Sequence, residues 1–341
     1  MPGHLRGTGV VVDEQSEATR HYNKGYFGRM EGATMHLDLI EAAFLVESER
    51  MEVLRDGQPM SLQELMLHGI RQDPAFEIRY LVYRDLRQRG YVADTSEQAM
   101  NLYPRGGAPH SHEPDFLVKA LSERSPFSIK SIAMLLHALQ RRRLMVGIVD
   151  EEGDLTYYYI KFFRMQGTME ERDSYQGIIT LLGDRSMVWD VALADELQEQ
   201  YVGREFGDHA VQLSLMETAY LAEKGATVHR NGEELSRELF MAHAREIQPD
   251  IERRLLAYKS LRGKGLIPKT GFKFGSHFRV YRRPIGEGHA PYLVHMLPED
   301  FTSTWTEVSR AVRLANSVRK EMVFARAGDG IEYIRLKRIT P

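Results

Sequence analysis

Tyr281 and His289 stand eight residues apart: Tyr281 closes the strand-like run Phe278-Arg-Val-Tyr281, and His289 follows a loop holding Pro284, Gly286 and Gly288. Such a pair can cleave RNA without a metal ion. The 2′-hydroxyl attacks its own phosphate once one group removes its proton. A second group protonates the leaving 5′-oxygen, and a cation stabilises the charge growing on the phosphorane. Histidine changes charge near neutral pH, which suits His289 to the acid role. A tyrosine serves as base where nearby cations ease loss of its proton, and Tyr281 lies in a neighbourhood rich in Lys and Arg. The two residue types alone leave a second reading open, in which Tyr281 packs in a sheet and His289 is merely solvated.

The elements that would position this pair lie between Leu255 and His295. An amphipathic helix is predicted first, with Leu255, Leu256 and Leu261 toward a core and Lys259, Arg262 and Lys264 toward solvent. Gly263 and Gly265 end it. A Gly-punctuated basic segment, Lys269 to Gly275, precedes the strand, in which Phe278 and Val280 face one way and Arg279 and Tyr281 the other. Tyr292-Leu-Val294 reads as the next strand.

The chain has 341 residues, enough for two or more domains, and 43% hydrophobic content, ordinary for a soluble globular protein. Cysteine is absent, which excludes disulfides and thiolate metal sites and fits a reducing cytoplasm. No apolar run approaches the roughly 20 residues of a membrane helix, and no signal-peptide layout is present. A net charge of −3 argues against an electrostatic nucleic-acid binder as a whole. The distribution says more: from Arg253 to Arg283 there are ten Lys or Arg and no Asp or Glu, a candidate phosphate-facing surface as well as an ordinary solvated face.

The chain repeats itself. His36-Leu-Asp-Leu-Ile-Glu-Ala-Ala-Phe-Leu45 returns as Gln212-Leu-Ser-Leu-Met-Glu-Thr-Ala-Tyr-Leu221, with Leu37/Leu213, Glu41/Glu217 and Ala43/Ala219 in matching places. Tyr83 to Gly90 parallels Tyr258 to Gly265, and the strand-turn-strand run from Met145 to Tyr157 parallels Met322 to Tyr333. This is a tandem duplication of a unit of about 175 residues, too few and too long for a solenoid. The predicted fold class is α+β with α/β nuclease-type domains: each unit has a helical α+β N-terminal half and a mixed-sheet α/β C-terminal half. The expected boundaries are 1–75 and 76–165 for the halves of the first copy, then 166–248, joining segment included, and 249–341 for those of the second.

The copies differ where chemistry would sit. Aligning Phe116 with Tyr292 places Glu113 opposite His289, and the basic Lys269-to-Phe274 segment has no counterpart, residues 94–100 reading DTSEQAM. One active and one structural copy are inferred. A third candidate comes from the predicted helix Thr306 to Lys320, whose polar side carries Arg310, Arg313 and Arg319, with Lys320 at its C-terminal end. Cations there also suit the helix dipole, with no catalytic meaning. Arg143 takes the Lys320 position in the first copy, counting back from Met145 and Met322.

With these residues in place, the chain resembles the archaeal tRNA-splicing endonucleases, in the form that fuses two subunit copies in one chain and works as a homodimer. GFKFGSHFRVYRR, HAPYLV and SRAVRLANSVRKEMVFA, in that order between Tyr258 and Arg335, carry the resemblance. It implies Tyr281 as general base, His289 as general acid and Lys320 as the cation on the phosphorane. It also implies that Arg313 and Arg335 grip a flipped-out base by stacking on its faces, for which single-stranded RNA is suited. The implied substrate is precursor tRNA, cut at both ends of an intron within a bulge-helix-bulge fold. Cleavage leaves 2′,3′-cyclic phosphate and 5′-hydroxyl ends with no metal and no cofactor, at no membrane and in the cytoplasm. In the family an acidic hairpin loop of the non-catalytic copy enters a basic cleft on a catalytic copy of the partner. The resemblance puts Asp150, Glu151, Glu152 and Asp154 in that loop, while the second-copy counterpart, Ala325 to Gly330, carries only Arg326 and Asp329. Taken alone, the turn is a solvated acidic loop.

Two rivals compete. A structural or RNA-binding subunit of the same fold is disfavoured by the intact Tyr281, His289 and Lys320. A metal-dependent nuclease needs clustered carboxylates near a Lys, whereas Glu287, Glu299, Asp300 and Glu307 are scattered. No phosphate-loop or dinucleotide glycine pattern supports a small-molecule enzyme.

Overall fold

The computed structural model describes residues 2–95, 99–139, 142–328 and 330–341. Two compact units divide the chain. One holds 1–161 with 302–310 and 337–341, the other 162–301 with 311–336.

The first copy opens with β1 (Pro2–Arg6), β2 (Gly9–Val12), α1 (Gln15–Gly25), β3 (Arg29–Glu31), β4 (Thr34–Asp38), α2 (Leu39–Glu47), β5 (Glu52–Arg55), β6 (Gln58–Met60) and α3 (Leu62–Gln72). It continues with α4 (Phe76–Gln88), β7 (Ala93–Thr95), β8 (Met100–Leu102), β9 (Phe116–Ser122), β10 (Pro126–Ser128), α5 (Ile129–Ala138), β11 (Arg143–Val149) and β12 (Leu155–Phe162). The second copy repeats the plan: β13 (Ile178–Leu181), β14 (Arg185–Val188), α6 (Val191–Glu199), β15 (Arg204–Phe206), β16 (Ala210–Ser214), α7 (Leu215–Glu223), β17 (Thr227–Arg230), β18 (Glu233–Glu234) and α8 (Arg237–Ile247). Then come α9 (Ile251–Arg262), β19 (Ile267–Thr270), a 3-10 turn (Phe272–Phe274), β20 (Phe278–Tyr281), β21 (Tyr292–Leu297), β22 (Thr302–Thr304), α10 (Trp305–Ser317), β23 (Glu321–Ala327) and β24 (Ile331–Ile339).

The duplication is written in the sheets. The N-terminal halves carry six strands in the orders β3-β4-β2-β1-β5-β6 and β15-β16-β14-β13-β17-β18, the same topology twice. These halves hold more strand than a helical reading implies. The C-terminal halves run β7-β8-β9-β11-β12 and β19-β20-β21-β23-β24. Both are mixed, since β9 pairs parallel with β11 and β21 with β23 while the other neighbours run antiparallel. This is the repeated α+β and mixed-sheet architecture read from the sequence.

The Glu41/Glu217 match has a specific cause. Each closes a capping box, accepting the N-cap amide of Asp38 or Ser214 at the start of α2 or α7. The other oxygen of each accepts the amide of Gly28 or Gly203 at 3.0 Å, and both glycines have positive φ. Burial holds the Glu41 carboxyl up at about 7, against an ordinary 4.5. The folded chain therefore keeps a proton that the unfolded chain releases, and stability falls as pH rises from about 4.5 to about 7. Glu41→Gln should remove that fall. Chemical denaturation at pH 5 and pH 8 should show the variant gaining about 1–3 kcal/mol on wild type at the higher pH. A difference independent of pH would exclude this reading.

The second unit fixes its strand through α9. Tyr258 on that helix meets Tyr220 of α7 with ring centroids 5.1 Å apart, and Phe278 of β20 at 6.2 Å. Two expectations for this helix are corrected. Leu256, expected inward, is 49% exposed, because the apolar stripe runs through Ile251, Leu255, Tyr258 and Leu261. Arg262, expected in solvent, is 2% exposed; it donates to the carbonyl and side-chain oxygens of Gln200 and so closes the loop after α6.

Candidate active site

Tyr281 ends β20, half-buried on the same face as Arg279, while Phe278 and Val280 point into the core as the alternation predicts. The strand lies between β19 and β21, with Ile267 opposite Tyr281 and Lys269 opposite Arg279. His289 is exposed near the end of the loop that follows. Both residues line one cleft of about 480 Å³, together with Arg282, Arg283 and Glu287. Its other wall is Gln166–Thr168, in the segment expected only to join the copies. That strap runs along the second copy: the amides of Gly167 and Thr168 donate to the carbonyls of Lys264 and Arg282, and Arg282 Nε donates to the Gln166 carbonyl. A side chain at Gly167 would meet the Gly265 carbonyl oxygen at 1.9 Å, so only glycine allows the approach.

Lys320 joins them by a different route. The expected helix to Lys320 ends at Ser317, so Arg319 and Lys320 lie beyond it. The ending is a Schellman motif: Arg319 takes φ 56°, its amide donates to Asn316, and the Lys320 amide donates to Ala315. Thus turned, Lys320 Nζ donates to the carbonyl of Ala290 at 2.7 Å, beside His289, and lies 5.6 Å from the Phe274 ring centroid. Burial, and then the charge of Arg279, push the Lys320 ammonium below its ordinary range. The three sequence candidates therefore come to one end of the sheet: an exposed imidazole, a half-buried phenol and an ammonium held against the imidazole's own peptide segment.

The arginines are arranged less simply. Arg313 is exposed on α10, and among the described residues it has no side-chain partner. Arg335 on β24 donates to Glu321 at 3.0 Å and lies over the Phe163 ring at 4.6 Å from its centroid, so one face of its guanidinium is already covered. Among the described residues no contact joins it to Arg313.

The first copy takes the same positions with different chemistry. The ladders make Arg143 opposite Phe116 the equivalent of Glu321 opposite Tyr292. The Arg143 and Glu321 amides also donate to the equivalent carbonyls of Asp115 and Pro291. Arg142, not Arg143, therefore stands at the Lys320 position; counting back from methionines misses by one because Met145 pairs with Val118 whereas Met322 pairs with Leu293. Tyr103, the counterpart of Tyr281, donates its hydroxyl to Asp94 at 2.8 Å. Burial and that carboxylate raise the Tyr103 phenol above its ordinary range.

In the acidic turn, Asp150 is used internally. Its carboxylate accepts the amides of Glu152 and Asp154, while Glu151 pairs with Arg124 at 2.6 Å. Asp329 in the second-copy turn, and 96–98 in the first copy, lie outside the described residues. A cavity of about 800 Å³ in the second unit is lined by Arg254, Lys269, Lys273 and Arg279 of the basic block, and by Arg185 and Arg204 from upstream. Its two acids are engaged, Asp184 with Arg185 and Glu217 with its backbone amides. Sequence reasoning placed Arg279 on the Tyr281 face but missed Lys269, which stands opposite Arg279 only through the β19–β20 ladder.

The family model for the tRNA intron endonuclease catalytic C-terminal domain matches the chain twice, over 76–157 and 251–333, and that for the N-terminal domain of the same family matches at 1–66 and 178–241. The chain is 38% identical to a tRNA-splicing endonuclease of Methanococcoides burtonii, over 96% of this chain and 97% of that protein. It is 36% identical to that of Methanosarcina mazei, over 98% of each chain. With that of Natronomonas pharaonis the identity is 33% over the full length of both.

Proposed function

The chain belongs to the tRNA intron endonuclease family, and from that premise we propose that it excises introns from precursor tRNA at bulge-helix-bulge sites by metal-independent transesterification. Tyr281 takes the 2′-hydroxyl proton, His289 protonates the 5′-oxygen, and Lys320 stabilises the phosphorane. The observation that carries this reading is the convergence of these three side chains, with Lys320 anchored to the Ala290 carbonyl next to His289. The geometry suits the roles. An exposed imidazole can reach a leaving oxygen, and an ammonium beside the same peptide meets the charge that develops there. Arg313 and Arg335 hold a bulged base, with Arg335 kept in place by Glu321 and Phe163. The working form is a homodimer, in which Glu151, Glu152 and Asp154 of one chain enter the basic cavity of the other while Asp150 shapes their turn.

The test is cleavage of a bulge-helix-bulge RNA in excess EDTA, with the ends identified. Full activity with 2′,3′-cyclic phosphate and 5′-hydroxyl products is expected. A requirement for Mg²⁺, or 3′-hydroxyl ends, would overturn the mechanism.

A further inference from the structure

The two copies place the same tyrosine beside opposite chemistry. In the first, Tyr103 donates to Asp94, Asn101 donates to the same carboxylate at 2.9 Å, and Arg142 donates to Asn101 at 3.0 Å. This is a closed network in which every member has a partner. The ladders carry each position into the second copy. Asp94 opposite Asn101 becomes Lys269 opposite Arg279, Tyr103 becomes Tyr281, and Arg142 becomes Lys320. One carboxylate and one amide are thereby replaced by two cations. Lys269 donates to the Gly203 carbonyl. Arg279 has its guanidinium 5.8 Å from the Tyr281 ring centroid, and its Nε is buried without a partner among the described residues. Among those residues no side-chain acceptor takes the Tyr281 hydroxyl either.

We propose that Lys269 and Arg279 are positioning residues for the reaction: Lys269 offers the Tyr281 hydroxyl no acceptor and so leaves its oxygen free to accept a proton, and Arg279 supplies the positive charge facing the nucleophile as that proton moves. The inference rests on Tyr281 acting as base. A carboxylate at position 269 would capture the hydroxyl as a donor, as Asp94 captures that of Tyr103. Lysine there has no acceptor to offer. The negative charge that develops on the 2′-oxygen as its proton leaves then meets a guanidinium that the strand alternation keeps on the Tyr281 face.

The experiment compares wild type with Arg279→Asn, the residue of the first copy, and with Arg279→Lys, on bulge-helix-bulge RNA. Arg279→Asn should lower kcat by about tenfold or more with KM changed by no more than about threefold, and Arg279→Lys should recover most of the loss. Lys269→Asp, checked for folding by circular dichroism, should fall further than Arg279→Asn. If it does not fold, the Arg279 pair decides alone. A wild type that does not cut, or a Tyr281→Phe variant that cuts normally, sinks the parent reading. If wild type cuts and Tyr281→Phe does not, four results sink this inference only: an unchanged kcat in Arg279→Asn, a loss confined to KM, no recovery with lysine, or a folded Lys269→Asp that cuts no slower than Arg279→Asn.

Discussion

His289→Ala should slow intron excision by about 10²–10⁴-fold, with RNA binding within a few-fold of wild type, because general acid catalysis is worth that much when the leaving group is an alkoxide. The expectation comes from position. His289 is exposed on the loop between β20 and β21 and lines the cleft with Tyr281, and its neighbour Ala290 is gripped by Lys320. Removing an exposed imidazole leaves no core cavity, so the loss should appear without a change in unfolding temperature. A substrate with sulfur in place of the bridging 5′-oxygen separates the acid role from other roles. Its leaving thiolate needs no proton, and the variant should cut it nearly as fast as wild type does. A variant equally slow on both substrates would show that His289 does something other than protonate the leaving group.

Replacing Glu151, Glu152 and Asp154 together by Lys should weaken self-association by at least about tenfold and lower cleavage in step, with activity returning at high protein concentration. Asp150 is spared, since its carboxylate holds the amides of Glu152 and Asp154, and its loss would unmake the turn itself. The predicted partner is the cavity of about 800 Å³ that gathers Arg204, Lys269 and Lys273. Three reversed charges would turn attraction into repulsion across that contact. Sedimentation at several concentrations, beside cleavage rates on the same samples, reads both quantities. Normal assembly with normal cutting removes the turn from the interface.

What could be read from the sequence was local. The alternation Phe278-Arg-Val-Tyr281 set which side chains enter the core, and the structure agrees at all four positions. The repeat was legible because Glu41 and Glu217 do the same two jobs in both copies. What failed depended on contacts distant in sequence. Arg262 reads as a surface residue until Gln200 is beside it. Lys320 reads as a helical residue, since nothing in Asn316-Ser-Val-Arg announces a Schellman ending whose left-handed position is filled by Arg319 rather than glycine. The one-residue error at Arg143 arose from aligning letters. Hydrogen-bond register corrected it and exposed the Lys269–Arg279 pair, whose members face each other only once β19 and β20 are zipped.

The strap has a consequence for anyone dividing the protein into pieces. Gln166–Thr168 precedes the first strand of the second copy, yet it walls the cleft that holds Tyr281 and His289. Just upstream, the Phe163 amide donates to the Tyr333 carbonyl and its ring lies under Arg335. A cut placed where the internal homology fades, near Ile178, would yield a polypeptide that keeps Tyr281, His289 and Lys320 but has a breached cleft. A piece meant to keep that cleft whole has to start at or before Phe162, where the second unit begins, so the evolutionary seam and the working seam of this chain fall in different places.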